Sequence, residues 1–172
     1  MTSVSLRASA PLWQKKPVYV VLIMLYVLII KDFKVVAQET DFKESVLKEV
    51  NALRASGCNC GDEVMPPAPP LKWNDKLETA AIRHVNDMYE NQHFDHKGTD
   101  GSTMSDRINA TGYKWSMLGE NICWGHEDVT SAIRGWKDSE DHCRNMMSSV
   151  FKDIAVARKG SYWVMDLGSP KF

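Results

Sequence analysis

From residue 41 onward, apolar side chains recur with two different periods, and the switch between them divides the chain into elements. Phe42, Val46, Val50 and Leu53 return every three or four positions and Gly57 closes the run, so a helix is predicted from Asp41 to about Ser56. Leu77, Ala81, His84, Val85 and Met88 trace a second helical stripe, with Asn74 or Asp75 as N-cap and an end near Gln92. His84 falls on that apolar face and reads as a satisfied core histidine. Thr103 to about Thr111 is a short helix closed by Gly112-Tyr113, and Glu127 to about Met147 a longer one facing inward with Val129, Ile133, Trp136 and Met147. On that longer helix Ser139 and His142, three apart, share a face. Residues 57–70 hold two Gly, four Pro and two Cys, which predicts an extended loop. Leu118 to Gly125 is an extended segment carrying Glu120, and Ile154–Arg158 with Ser161–Leu167 form a hairpin around Lys159-Gly160. Helices with a small antiparallel sheet define an α+β domain.

The first 37 residues follow another pattern. Arg7, Lys15 and Lys16 precede an unbroken apolar run from Val18 to Ile30, and Val35-Val36-Ala37 offers a cleavage point before Gln38. That order is a secretory signal peptide, and the run falls short of the roughly 20 residues of a comfortable membrane span. Residues 1–37 are therefore expected to be a leader, or an N-terminal anchor if uncleaved, and 38–172 one domain. A secreted or extracellular location follows. The membrane is a partner only through an uncleaved leader, which would hold the domain on the outer face.

Charge narrows the partners. Residues 38–172 carry 16 Lys plus Arg against 21 Asp plus Glu, a net charge of −5 with no basic cluster, which disfavours nucleic acid. Four cysteines in an exported chain, Cys58, Cys60, Cys123 and Cys143, point to two disulfides. Three pairings are possible. Cys60 with Cys143 and Cys58 with Cys123 is the one favoured, because Cys58 and Cys60, two apart in an extended segment, face the same way and need different partners.

The candidate chemistry lies in three local sequences. His96 ends H-F-D-H before the turn at 97–101, Glu120 lies in G-E-N-I, and His142 in W-K-D-S-E-D-H-C-R-N-M-M. Two imidazoles and a carboxylate bind a divalent cation such as zinc, or share protons, if the fold gathers them. With V-N-A-L-R, L-K-W-N-D-K-L-E-T-A-A, F-D-H-K-G-T-D-G-S-T-M-S-D-R-I-N-A-T-G-Y and G-S-Y-W-V-M-D-L-G, these blocks form an ordered set over residues 46–168. The set resembles the CAP superfamily of secreted cysteine-rich, antigen 5 and pathogenesis-related (SCP-like) proteins. The S-E-D-H-C-R-N version is similar to its bacterial-type branch, with W-x-x-S-P-G-H-x-x-N.

The resemblance implies an α-β-α sandwich with a central antiparallel sheet and an open groove. It places His96 and Glu120 in a cavity whose usual tetrad is two His and two Glu. Ser139 stands where the second glutamate is usual and Tyr162 where the second histidine is, while His142 offers an imidazole from a neighbouring position. Val164-Met165 replaces the usual Thr-Gln. The expected cavity is therefore His96, Glu120, Ser139, His142 and Tyr162, with His96 and His142 as metal ligands. Trp73, Trp136 and Trp163 fit packing positions, and Trp115 and Trp124 are candidates to line a groove. The function expected is a monomeric extracellular module binding an apolar, lipid or peptide-like ligand, with no required cofactor beyond an optional divalent cation. The alternatives are a metal-dependent or serine-type hydrolase using Ser139, His142 and Glu120, which also needs an oxyanion hole, and a toxin-like or adhesion module acting through its surface. Asn109, in N-A-T, fits a glycosylation acceptor.

Overall fold

The computed structural model describes residues 18–171, in two compact units, Met1–Thr40 and Asp41–Phe172. Arg7, Lys15 and Lys16 of the expected leader lie outside the described residues. The first helix, α1, runs Val18–Ser56 rather than starting at Asp41. Nothing in its sequence stops it: no Gly or Pro occurs between Val18 and Ser56. Among the described residues no helix is long and apolar enough to cross a membrane.

In the second unit, the Pro-rich segment holds more structure than a loop. Strands β1 (Cys58–Cys60) and β2 (Glu63–Met65) pair as a tight antiparallel hairpin, with Gly57 at φ 71° and Gly61 at φ 58° supplying left-handed backbone on either side of C-N-C. After β3 (Lys72–Trp73), Asn74 accepts from the backbone of Lys76 and Leu77 and starts α2 (Asp75–Glu90) as read from sequence. A capping box between Thr103 and Asp106 starts α3 (Met104–Ala110). Then come β4 (Trp115–Trp124), α4 (Val129–Asp138), α5 (Glu140–Met147), β5 (Asp153–Lys159) and β6 (Tyr162–Pro170).

The main sheet has the order β3-β5-β6-β4. It is antiparallel apart from the two-residue β3 edge, which runs parallel to β5. Side chains alternate across it, so each strand serves two cores. Ile154, Val156, Trp163, Met165 and Leu167 pack against Val46 and Val50 of α1, Ile133 and Trp136 of α4 and Met146 of α5. Ala155, Ala157, Val164 and Ile122 take the other face, under Leu77, Ala81, Val85 and Met88 of α2 and Ile108 of α3. Layers of helix, sheet and helix result.

Two further expectations are corrected. The single helix over 127–147 is broken at Ser139, whose φ −95° and ψ 122° are extended, so Ser139 and His142 straddle a break instead of sharing one helix face. Serine is a weak interior helix former, and the break gives α4 and α5 separate apolar stripes, Ala132, Ile133 and Trp136 on one and Cys143, Met146 and Met147 on the other. The second correction concerns the disulfides. Cys60 and Cys143 are bridged, while Cys58 and Cys123 carry free thiols. Cys58 and Cys60 do lie on the same side of β1, but both then face one partner, Cys143. Cys123 is held on β4 opposite Trp163, where it packs against the core.

Candidate functional site

Strand alternation also accounts for a polar cluster in the α2 side of the core. Glu120 lies two positions before Ile122 on β4, and its register partner on β6 is Asp166, two positions after Val164. Both acids are therefore carried to the layer roofed by α2 and α3, and both are buried. Arg107 of α3, only 2% exposed, donates to Glu120 Oε2 at 2.7 Å and to the His96 carbonyl at 3.1 Å. His96 Nδ1 meets Glu120 Oε1 at 2.7 Å. Both Glu120 oxygens are thus engaged. Burial alone raises the Glu120 carboxyl, but the His96 hydrogen bond and the Arg107 charge outweigh it and hold the group below its ordinary value. The same hydrogen bond raises His96.

Asp166 behaves in the opposite way. It is 1% exposed, and neither carboxyl oxygen has a partner at strict hydrogen-bond geometry among the described residues; the side chain with which it shares a hydrogen bond is the Glu120 carboxylate. Burial, and then the neighbouring Glu120 charge, raise it well above the ordinary carboxylate value. Asp166 is the protonated acid of the pair. His84, fully buried on α2, is held neutral chiefly by burial. Its place in the core is as expected, with the Asp95 backbone as its hydrogen-bonding neighbour, although neither ring nitrogen reaches a partner at strict hydrogen-bond geometry among the described residues.

Beside this cluster opens a groove of about 540 Å³. One wall is apolar: Phe94, Ile122, Trp124 and Tyr162, with Trp136 and Cys123. Tyr162 is its centre, with Phe94 at 6.4 Å and Trp124 at 6.5 Å between ring centroids, and Tyr89 edge-on at 6.4 Å. The polar side is His126, Ser139 and His142. His126 fits because residue 135 is glycine: a Cβ there would stand 2.6 Å from the imidazole Nε2. Burial, then the charge of His96, depress the His142 imidazole, which favours its neutral form.

Of the five residues expected in one cavity, Ser139, His142 and Tyr162 line the groove, whereas His96 and Glu120 form the adjoining ion pair and are not among its lining residues. His96 and His142 are near enough for the charge on one to depress the other. Glu120 is spent on His96 and Arg107, so it does not orient His142, and the Ser139 side chain makes no capping hydrogen bond to α5. Trp124 lines the groove as expected, whereas Trp115 packs beside the Tyr113 cluster and donates to Asn109 Oδ1 at 2.9 Å. Sequence reasoning missed Phe94, Gly135 and His126 in the groove and Arg107 and Asp166 in the cluster. The interior glycine of α4 was the available signal for His126; Asp166 inside an apolar strand was the signal for the second acid.

The metal expectation can be compared with these donors. With Nδ1 held by Glu120, His96 leaves Nε2 for a cation, the arrangement in which a carboxylate steadies a ligating imidazole. Neutral His142 offers a second nitrogen. Among the described residues, however, the group of three or more Cys, His, Asp or Glu donors within 4.8 Å is Cys58, Cys60 and Cys143. His96 and His142 are not part of that group, and Glu120 is engaged by His96 and Arg107.

Comparison with known proteins agrees with this architecture. The family model for the cysteine-rich secretory protein family, CAP, matches residues 47–167, and the chain belongs to that family. Two proteins of Bacillus subtilis (strain 168) are similar in sequence. The uncharacterized membrane protein YlbC is 27% identical over 96 residues, 56% of this chain and 28% of YlbC. The uncharacterized protein YkwD is 28% identical over 96 residues, 55% of this chain and 37% of YkwD. The matched region spans about a third of the length of these curated relatives. An extracellular protein containing a SCP domain from Bacillus anthracis str. Ames has the same fold, with a TM-score of 0.66 and 24% identity, covering 75% of this chain and 40% of that one.

Proposed function

We propose that this domain is an extracellular binding module that takes an apolar or peptide-like ligand into the groove walled by Phe94, Trp124 and Tyr162. The observation that carries the reading is an aromatic wall open to solvent: Trp124 is 61% exposed and Phe94 51%, a large apolar surface beside a few convergent polar groups. His142 and Ser139 give the groove a polar side suited to a ligand headgroup or a peptide carbonyl. A divalent cation, zinc by the nitrogen donors, is held by His96 Nε2 and His142, where it would supply a Lewis-acid contact for that polar end. The extracellular placement rests on the leader-like start of the chain and on the described location of the Bacillus anthracis relative.

Two measurements on the purified full chain test this. Titration with palmitate and with a short apolar peptide should quench the exposed tryptophan, and Trp124→Ala should lower the affinity at least about tenfold, the effect of losing one buried aromatic anchor. Unchanged affinity in that variant would refute the groove. Zinc uptake, followed by isothermal titration, should fall in His142→Ala and in His96→Ala alike. Full uptake by the double variant would refute the cation site and leave the groove untouched.

A further inference from the structure

The two cysteines without a bridge are placed very differently. Cys123 lies on β4 with its thiol pushed up to about 12 by burial, and it packs against the main core rather than against the bridge. Cys58 is half-buried against the disulfide itself, its Sγ 3.7 Å from Cys143 Sγ and 4.0 Å from Cys60 Sγ. The local backbone enforces this. C-N-C is a three-residue strand, so Cys58 and Cys60 project to one side while Asn59 is exposed, and the pairing with β2 holds both over the Cys143 end of α5. Three sulfurs therefore share one small cluster with Met147, Leu53 and Met65.

We propose that Cys58, Cys60 and Cys143 form an intramolecular thiol–disulfide exchange site in which Cys58 is the attacking thiol. The Cys58 thiolate attacks Cys143 Sγ; the Cys58–Cys143 bond forms as the Cys60–Cys143 bond breaks. The electron pair leaves on Cys60 Sγ, which takes up the proton that Cys58 released. Nothing is oxidised or reduced overall, so the step needs no further reactant. Near-equal distances to the two bridged sulfurs place the Cys58 sulfur beside the bond rather than along its axis. Attack therefore requires a rotation of the Cys58 side chain, which its half-exposed position permits. Exchange moves the tether of α5 by two residues along β1. Cys143 is next to His142 in the chain, so the exchanged bridge lies one residue from the polar side of the groove.

The test uses the full oxidised chain under native conditions, held between pH 6 and 8 without added thiol or oxidant. Samples are blocked with N-ethylmaleimide, digested without reduction and mapped by fragmentation that separates Cys58 from Cys60. The expected result is a Cys58–Cys143 linkage with label on Cys60, beside the main Cys60–Cys143 isomer. Its rate of appearance should rise with pH, because the thiolate is the attacking species in exchange. Cys60→Ser should carry a Cys58–Cys143 bridge, and Cys58→Ser should show no second isomer. Label confined to Cys58 in the native chain at every pH and time would overturn the proposal. So would Cys123 entering bridges, since that marks global scrambling rather than a local site.

Discussion

The polar cluster and the groove share β4, yet they use buried area in opposite ways. Around Glu120, a carboxylate is taken out of water and must be answered by its neighbours: Arg107 and His96 meet it, and Asp166 is kept from ionising by burial and by the Glu120 charge. Two to four residues further along, the same strand contributes Ile122 and Trp124 to a surface that faces solvent with little charge at all. The cluster is therefore built to be rigid and the groove to be filled. Removing one member of the first should cost folding, and removing one of the second should cost only binding.

The largest effect is expected from Arg107→Met. The substitution keeps much of the side-chain volume and leaves Glu120 buried with one partner, so it should destabilise the fold by about 3–5 kcal/mol in denaturant unfolding. A loss below about 1 kcal/mol would show that His96 alone is enough to hold Glu120. Asp166→Asn tests the other acid and has the opposite sign. A carboxyl raised on folding holds its proton in the native state, so its effect on stability grows worse as pH climbs from 3.8 toward the folded value. Asparagine removes that penalty and replaces the acid's O–H donor toward Glu120 with an amide N–H. The variant should be more stable at pH 7 by about 1–3 kcal/mol, the size of a buried unsatisfied group, and show a flatter stability profile above pH 4.

The groove should answer differently. Gly135→Ala brings a Cβ against the His126 imidazole and displaces it from the wall, while alanine favours the interior of α4 by about 0.5–1 kcal/mol. Stability is expected to change by less than about 1 kcal/mol, with palmitate affinity altered several-fold. A large fall in melting temperature without an affinity change would show that His126 supports the fold instead.

Periodicity made much of this legible. The stripes of α1 and α2, the hairpin at Gly160 and the inward alternation of β6 follow from apolar spacing, and the family blocks pointed to His96 and Glu120. What spacing does not contain is pairing across strands. Glu120 and Asp166 are 46 positions apart and meet because β4 and β6 align in one register. Arg107 sat in the sequence as an ordinary polar residue of a short helix, and only the packing of α3 turns it inward. The break at Ser139 was hidden for a related reason: the apolar positions on both sides fit one helical period, so the pattern alone could not show that two helices share it.

The smallest expected effect lies at the border between the two regions, where His96 is 54% exposed and Glu120 only 2%. His96 is raised on folding, so its contribution is fully present below its unfolded value, near 6.5, and fades as pH rises through the folded one. Glu120 is lowered, so its contribution is present above 4.5 and is lost as pH falls through its folded value. The pair is therefore strongest between those two folded values, a window that includes pH 4.5 to 6.5. Solvent screening at His96 limits its size to about 0.5–1 kcal/mol. His96→Gln keeps a donor but removes the titration, so the stability difference between wild type and variant should be largest near pH 5.5 and shrink by pH 8. A difference independent of pH would mean that His96 serves Glu120 only as a neutral hydrogen-bond donor, and the charge coupling felt by His142 should then vanish from its own titration.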